Sequence, residues 1–87
     1  SNIMSPTTVT LFTSPGCPDC AAVRRWLEQQ GVPCSERDIT QPGVADEARL
    51  RYGVRIAPIT VVDENTYFYG TADQQIPRLR RALAFTD

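Results

Sequence analysis

Cys17 and Cys20, in the segment Cys17-Pro18-Asp19-Cys20, are the residues of this 87-residue chain best suited to chemistry. Two thiols at this spacing can pass two electrons to a disulfide. One attacks as a thiolate, and the other then resolves the mixed disulfide. The competing chemistries lack their residues. There is no His, which removes the usual general base, the Ser-His and Cys-His nucleophile pairs and the commonest metal ligand. Tetrahedral zinc needs four Cys or His ligands, and Cys34 is the only further thiol, so the set does not close within one chain and no metal is expected. Two buried core cysteines are the plainer alternative, because free Cys is among the most buried residue types. The Gly-Cys-Pro-x-Cys setting at a turn favours the redox reading over it.

The dithiol needs elements to position it, and the sequence supplies them. Thr7 to Thr13 is a β-branched and apolar run closed by Ser14-Pro15-Gly16, which reads as a buried strand entering a tight turn. From Pro18 onward, Cys20, Val23, Trp26, Leu27 and Gln30 follow helical spacing, and Gly31 is a natural stop. Pro18 suits the first helical position, where a missing N–H costs nothing. Cys17 is then the N-cap, with its sulfur at the positive helix end, where the dipole and free amides lower a thiol's pKa. Val32 to Ile39 reads as a second strand, parallel to the first through a right-handed βαβ connection. Thr40 to Gly43 opens a short helix carrying Val44, Ala48 and Tyr52, which Gly53 ends. Ile59 to Val62 and Thr66 to Tyr69 flank a turn at Asp63-Glu64-Asn65 and form a hairpin. Ala72, Ile76, Leu79 and Leu83 mark a last helix, with Thr71 and Gln74 as a capping box. Pro77 conflicts with that start, so either the first turn is distorted or the helix begins near Gln74. The order β-α-β-α-β-β-α, with the Cys-x-x-Cys at the first strand-to-helix turn, is an α/β fold of thioredoxin-like type.

Composition narrows the partners. Nine basic residues, all Arg, against ten acidic ones give a net charge of −1, which argues against nucleic acid or an anionic membrane surface held by bulk charge. No apolar run approaches the roughly 18–20 residues that span a bilayer, and an odd cysteine count does not fit a secreted disulfide framework. A reducing, cytoplasmic setting and a monomer are expected. Residues 1–6 read as a disordered or expression-derived tail ahead of one domain over residues 7–87.

Other residues carry milder expectations. Asp19 favours the helix start but opposes a neighbouring thiolate, so it either tunes Cys17 or serves simply as a first-turn carboxylate. Cys34 reads as a small core or edge residue of the second strand. Pro58, just before the strand at Ile59, is either an ordinary strand-opening proline or, if its peptide is cis, a device exposing the Ala57 backbone to an extended substrate. Trp26, Tyr52, Tyr67, Phe68 and Tyr69 read as core and rim packing. Arg78, Arg80 and Arg81 read as a solvated face near the negative end of the last helix.

Taken together, these segments resemble the glutaredoxins. The matching landmarks are Val9 to Phe12, Ser14 to Cys20, Trp26-Leu27, Gly31-Val32, Asp38-Ile39, Ile56-Ala57-Pro58 and Gly70 to Asp73, in order from about residue 7 to 85. The resemblance implies a four-stranded mixed sheet with three helices, Cys17 as nucleophile, Cys20 as resolving thiol and a cis Pro58. It also implies a substrate site at Pro18, Asp19, Ile56, Ala57, Pro58, Thr71, Ala72 and Asp73, where glutathione serves as reductant and no cofactor is permanently bound. The chain departs from the family's Thr-Val-Pro with Ile56-Ala57-Pro58, and from its Gly-Gly or Gly-Cys with Thr71-Ala72. The Lys often found upstream of the thiols is absent. Gly53 to Pro58 is similar to the glutaredoxin-shaped electron donors of ribonucleotide reductase, which implies thioredoxin reductase as the alternative partner, with a disulfide-containing protein or small molecule as substrate. Arg25-Trp26-Leu27 and Gly31 are similar to arsenate reductase and its regulator cousins, which are longer and carry Arg-Pro at the Ala57-Pro58 position. A different class of function, a carrier or binding module holding an iron–sulfur cluster bridged between two chains or docking a partner, uses the same surface in some members.

Overall fold

The computed structural model describes residues 7–84; the expected tail at residues 1–6 lies outside the described residues. The chain runs β1 (Val9–Thr13), α1 (Pro18–Gln29), β2 (Ser35–Asp38), α2 (Val44–Tyr52), β3 (Ile59–Val62), β4 (Thr66–Tyr69) and α3 (Ala72–Ala82). The four strands form one mixed sheet in the order β2-β1-β3-β4. β1 is parallel to β2 and antiparallel to β3, and β3 and β4 form the hairpin. This is the thioredoxin-like architecture expected from the element order.

The two central strands are buried on both faces, and their pleat assigns each side chain to a layer. Val9 and Leu11 of β1 pack with Val23, Trp26 and Leu27 of α1 and Leu79 of α3. Phe12, the next residue along, turns to the opposite face against Val44, Ala48 and Tyr52 of α2. β3 divides likewise, with Val62 among the α1–α3 cluster and Ile59 and Val61 in the α2 cluster. Burying side chains such as Leu11, Phe12, Leu27 and Ile59 stabilises the fold by about 1.5–3 kcal/mol each. These layers fix α1 at the end of β1, and with it the position of the dithiol.

Three sequence expectations change. The second strand is shorter than Val32 to Ile39, because Val32 is drawn into the α1–α3 core as part of the connection and only Ser35–Asp38 pairs with β1. Cys34 therefore precedes the strand rather than belonging to it, half-buried against the same core. Tyr67 and Tyr69 lie exposed on edge strand β4 as rim packing, with Tyr67 stacked on Tyr69 and tilted against Tyr52. The last helix begins at Ala72 and not near Gln74. The Thr71–Gln74 capping box forms in full, and Pro77 is accommodated inside the helix. Arg80 lies over the Trp26 ring at 5.6 Å from its centroid, which covers apolar surface while leaving the arginine exposed.

A polar side chain on the buried stripe of α3 ties the layers together. Gln75 is fully buried; its Nε2 donates to the Pro58 carbonyl at 2.9 Å and the Gly70 carbonyl at 3.0 Å, and its Oε1 accepts from the Thr60 hydroxyl at 2.6 Å. One residue thus satisfies the loop before β3, the turn after β4 and a hydroxyl of the central strand. A buried donor or acceptor left without its partner costs about 1–3 kcal/mol. Gln75→Leu keeps the volume but strands all three partners, so it is predicted to lower stability by about 3 kcal/mol in urea unfolding. An unchanged midpoint would show that the network contributes little.

Candidate functional site

Cys17 and Cys20 sit where β1 hands the chain to α1. Gly16 takes a positive φ of 71°, which a residue with a side chain rarely adopts, and this turns the chain into the helix. Cys17 is the N-cap in extended geometry and Pro18 fills the first helical position, as the spacing predicted. The Cys20 amide donates to the Cys17 sulfur at 3.1 Å. That amide is one of the helix-start donors with no intrahelical acceptor, so the sulfur takes the place a Ser or Asp oxygen ordinarily fills. The two cysteines are joined as a disulfide, with their Cα atoms 5.2 Å apart. Cys17 is half-exposed and Cys20 is buried, so an incoming molecule reaches Cys17 first.

The other residues fall into two recesses. Asp19, Ile56, Ala57, Pro58 and Thr71 share a groove of about 830 Å³, together with Tyr69. The Ala57–Pro58 peptide is cis. Pro58 is buried and Ala57 half-buried, while Ile56 is 77% exposed and Tyr69 56% exposed, so the groove presents apolar surface to solvent. Cys17 and Pro18 open instead on a smaller recess of about 430 Å³, with Arg24 and Asp38 on its walls. Thr71 is the N-cap of α3; Ala72, the first residue of that helix, is buried, and Asp73 is exposed. Neither Ala72 nor Asp73 lines the groove's surface as described. Among the described residues, no cluster of three His, Cys, Asp or Glu could hold a metal ion.

Two residues of this region, Tyr69 and Gln75, were not among the expected site residues, and Asp19, which was, makes a contact that its position in the motif does not announce. Asp19 does more than stand in the first turn of α1, because its Oδ1 accepts from the Ala72 amide at 3.0 Å and links the dithiol helix to α3. Tyr69 reaches the groove because β4 is an edge strand whose side chain there stays exposed. Gln75 supports the groove from below through Pro58 and Gly70, and its signal was present in the sequence as a polar residue on an otherwise apolar helical stripe. Beside the smaller recess, Arg24 is held in a two-point ion pair with Glu36, at 2.6 and 2.9 Å. The Asp38 carboxyl is lowered from its ordinary pKa, chiefly by the Thr40 hydroxyl and then by the Thr40 amide donating to it.

The Glutaredoxin family model matches residues 9–66, two thirds of the chain, from β1 through the start of β4. The chain is a member of the glutaredoxin family. The global transcriptional regulator Spx 1 of Oceanobacillus iheyensis is 45% identical over 42 residues, which cover 47% of this glutaredoxin and 32% of Spx 1. The chain thus matches about a third of the length of that regulator. The N-acetyl-S-hydroxy-L-cysteine reductase of Bacillus subtilis is 26% identical over 77 residues, 87% of this chain and 83% of the reductase. Among solved structures, the glutaredoxin-like NrdH-redoxin of Escherichia coli superposes with a TM-score of 0.66 at 25% identity, covering 83% of this chain and 93% of that one. The fold, the family and the joined cysteine pair together give the chain a glutaredoxin-like thiol redox fold.

The third thiol differs from the pair. Burial pushes the Cys34 thiol up from its ordinary pKa, the Glu36 carboxylate adds to the rise, and Arg24 only partly opposes it. A raised pKa leaves less thiolate at neutral pH, and the thiolate is the reactive form. In the reduced protein at pH 7, Cys17 is predicted to be alkylated by iodoacetamide at least about tenfold faster than Cys34, with the Cys34 rate still rising as the pH passes the ordinary thiol range. Peptide mapping by mass spectrometry after timed quenching measures both. Equal rates at pH 7 would remove the distinction.

Proposed function

We propose that the chain is a dithiol reductase of disulfides, with Cys17 as the attacking thiolate and Cys20 as the resolving thiol. The observation that carries this reading is the half-exposed Cys17 sulfur at the N-cap of α1, bonded by the Cys20 amide and joined to a buried Cys20. In the reduced form the same amide and the helix dipole favour the Cys17 thiolate.

The steps balance as follows. Cys17 thiolate attacks one sulfur of the substrate disulfide, and the other sulfur leaves as a thiolate that takes a proton from solvent. Cys20 then loses its proton to solvent and attacks the Cys17 sulfur. The second substrate thiol leaves, and the Cys17–Cys20 disulfide forms. Two electrons have passed from the dithiol to the substrate, and an external reductant returns them.

For that reductant we favour thioredoxin reductase over glutathione. The family's glutathione-binding landmarks are altered here at Ile56-Ala57 and Thr71-Ala72. The Escherichia coli NrdH-redoxin, a structural relative, is described as glutaredoxin-like with a thioredoxin-like activity profile. The Bacillus subtilis relative acts on an S-hydroxy cysteine, which supports an oxidised cysteine sulfur as the group attacked. The substrate is accordingly a protein or small molecule carrying such a sulfur.

NADPH consumption with bis(2-hydroxyethyl) disulfide, supplied with either thioredoxin reductase or glutathione plus its reductase, tests both parts. Turnover is expected with thioredoxin reductase, falling to background for Cys17→Ser. Turnover with glutathione alone would reassign the reductant while leaving the dithiol in place. Full activity of Cys17→Ser in either arm would refute the mechanism.

A further inference from the structure

Within the dithiol motif, Asp19 makes a contact far along the chain. Its carboxylate accepts from the amide of Ala72, the first residue of α3, at 3.0 Å. That amide is one of the donors a helix leaves without an acceptor at its start, where the dipole favours negative charge. Thr71 takes a second of these donors, the Gln74 amide, through its hydroxyl at 3.2 Å. The positive end of α3 is therefore already served by a carboxylate belonging to the protein, and that carboxylate also lines the apolar groove with Ile56, Pro58 and Tyr69.

The consequence falls on whatever enters that groove, whose Asp19 stands two residues from Cys17 in the chain. A substrate carboxylate near α3 meets a like charge and finds the Ala72 amide occupied, and two carboxylates sharing one site disfavour each other's ionised forms. Arg55 is the cation on the groove lining, but it is exposed, so water and salt screen its attraction for an anion. Exposed Ile56 and Tyr69 offer an uncharged occupant surface to bury instead. We propose that Asp19 determines substrate class, excluding disulfides with carboxylates close to the sulfur and admitting those set in uncharged, apolar surroundings. This rests on the dithiol reading above and specifies which disulfides that dithiol meets.

The test compares two small disulfides of similar reach. One is 3,3′-dithiodipropionate, with two carboxylates, and the other is bis(2-hydroxyethyl) disulfide, which is uncharged. Single-turnover rates of the reduced full chain are measured with each, for wild type, Asp19→Ala and Asp19→Asn. The readout is the ratio of the dianion rate to the neutral rate, in which any general effect of Asp19 on Cys17 reactivity cancels. Asp19→Ala removes the charge and frees the amide, so it should raise that ratio about tenfold. Asp19→Asn removes the charge but keeps an oxygen for the amide, so it should raise the ratio by less. An unchanged ratio in both variants would overturn the inference, whereas equal increases would support it with the Asp19 charge, rather than the occupied amide, as the excluding element. If wild type reduces neither disulfide, the dithiol reading falls and takes the inference with it. If wild type reduces the neutral disulfide while the ratio stays fixed, the inference alone falls.

Discussion

The Cys20 amide donates to the Cys17 sulfur at the first turn of α1, and the placing of that hydrogen bond determines what the chain can do. A helix start holds several amides with no intrahelical acceptor, and they demand a partner. Here the partner is a sulfur. Setting it there requires β1 to end at Thr13, Gly16 to turn the chain through a positive φ, and Pro18 to begin the helix without an N–H to waste. It also requires α1 to be held firmly, which the packing of Val23, Trp26 and Leu27 on β1 and α3 provides.

The groove lined by Asp19 and the loop before β3 depends on a second set of ties. Gln75 grips the carbonyls of Pro58 and Gly70 and the hydroxyl of Thr60, so the loop before β3 and the turn after β4 hold a fixed relation. Asp19 joins the helix of the dithiol to the helix that carries Gln75. The walls and the reactive end thus belong to one connected hydrogen-bonded arrangement. In such a network, geometry is set by residues that never touch a substrate.

Much of this was legible in the sequence because the signals were local. Cys17 as N-cap, Pro18 at the first helical position and the Thr71–Gln74 capping box each follow from a few neighbouring residues, and each formed as read. The seven elements and their order were legible too, since the central strands are strongly apolar. What the sequence hid was tertiary. Nothing local says that Asp19 meets Ala72, because that contact exists only once α1 and α3 pack side by side. The span of β2 was misread because Val32 is apolar for the sake of the helix core and not for a strand. Which of the aromatics would be core and which rim was not legible, because aromatic strand formers such as Tyr67 and Tyr69 do not announce whether their strand lies at the centre or the edge. Pro77 conflicted with a helix start at Thr71, yet α3 begins at Ala72 and runs through it with Ala72 and Leu79 buried on either side.

The central claim is that Cys17 is the sulfur that attacks and Cys20 the one that resolves. Reduced Cys20→Ser protein, mixed with a disulfide-linked peptide and digested without reductant, tests it by mass spectrometry. Removing the resolving thiol should leave the peptide trapped as a mixed disulfide on Cys17. An adduct on Cys34, or none at all while wild type still reduces the same peptide, would contradict the account.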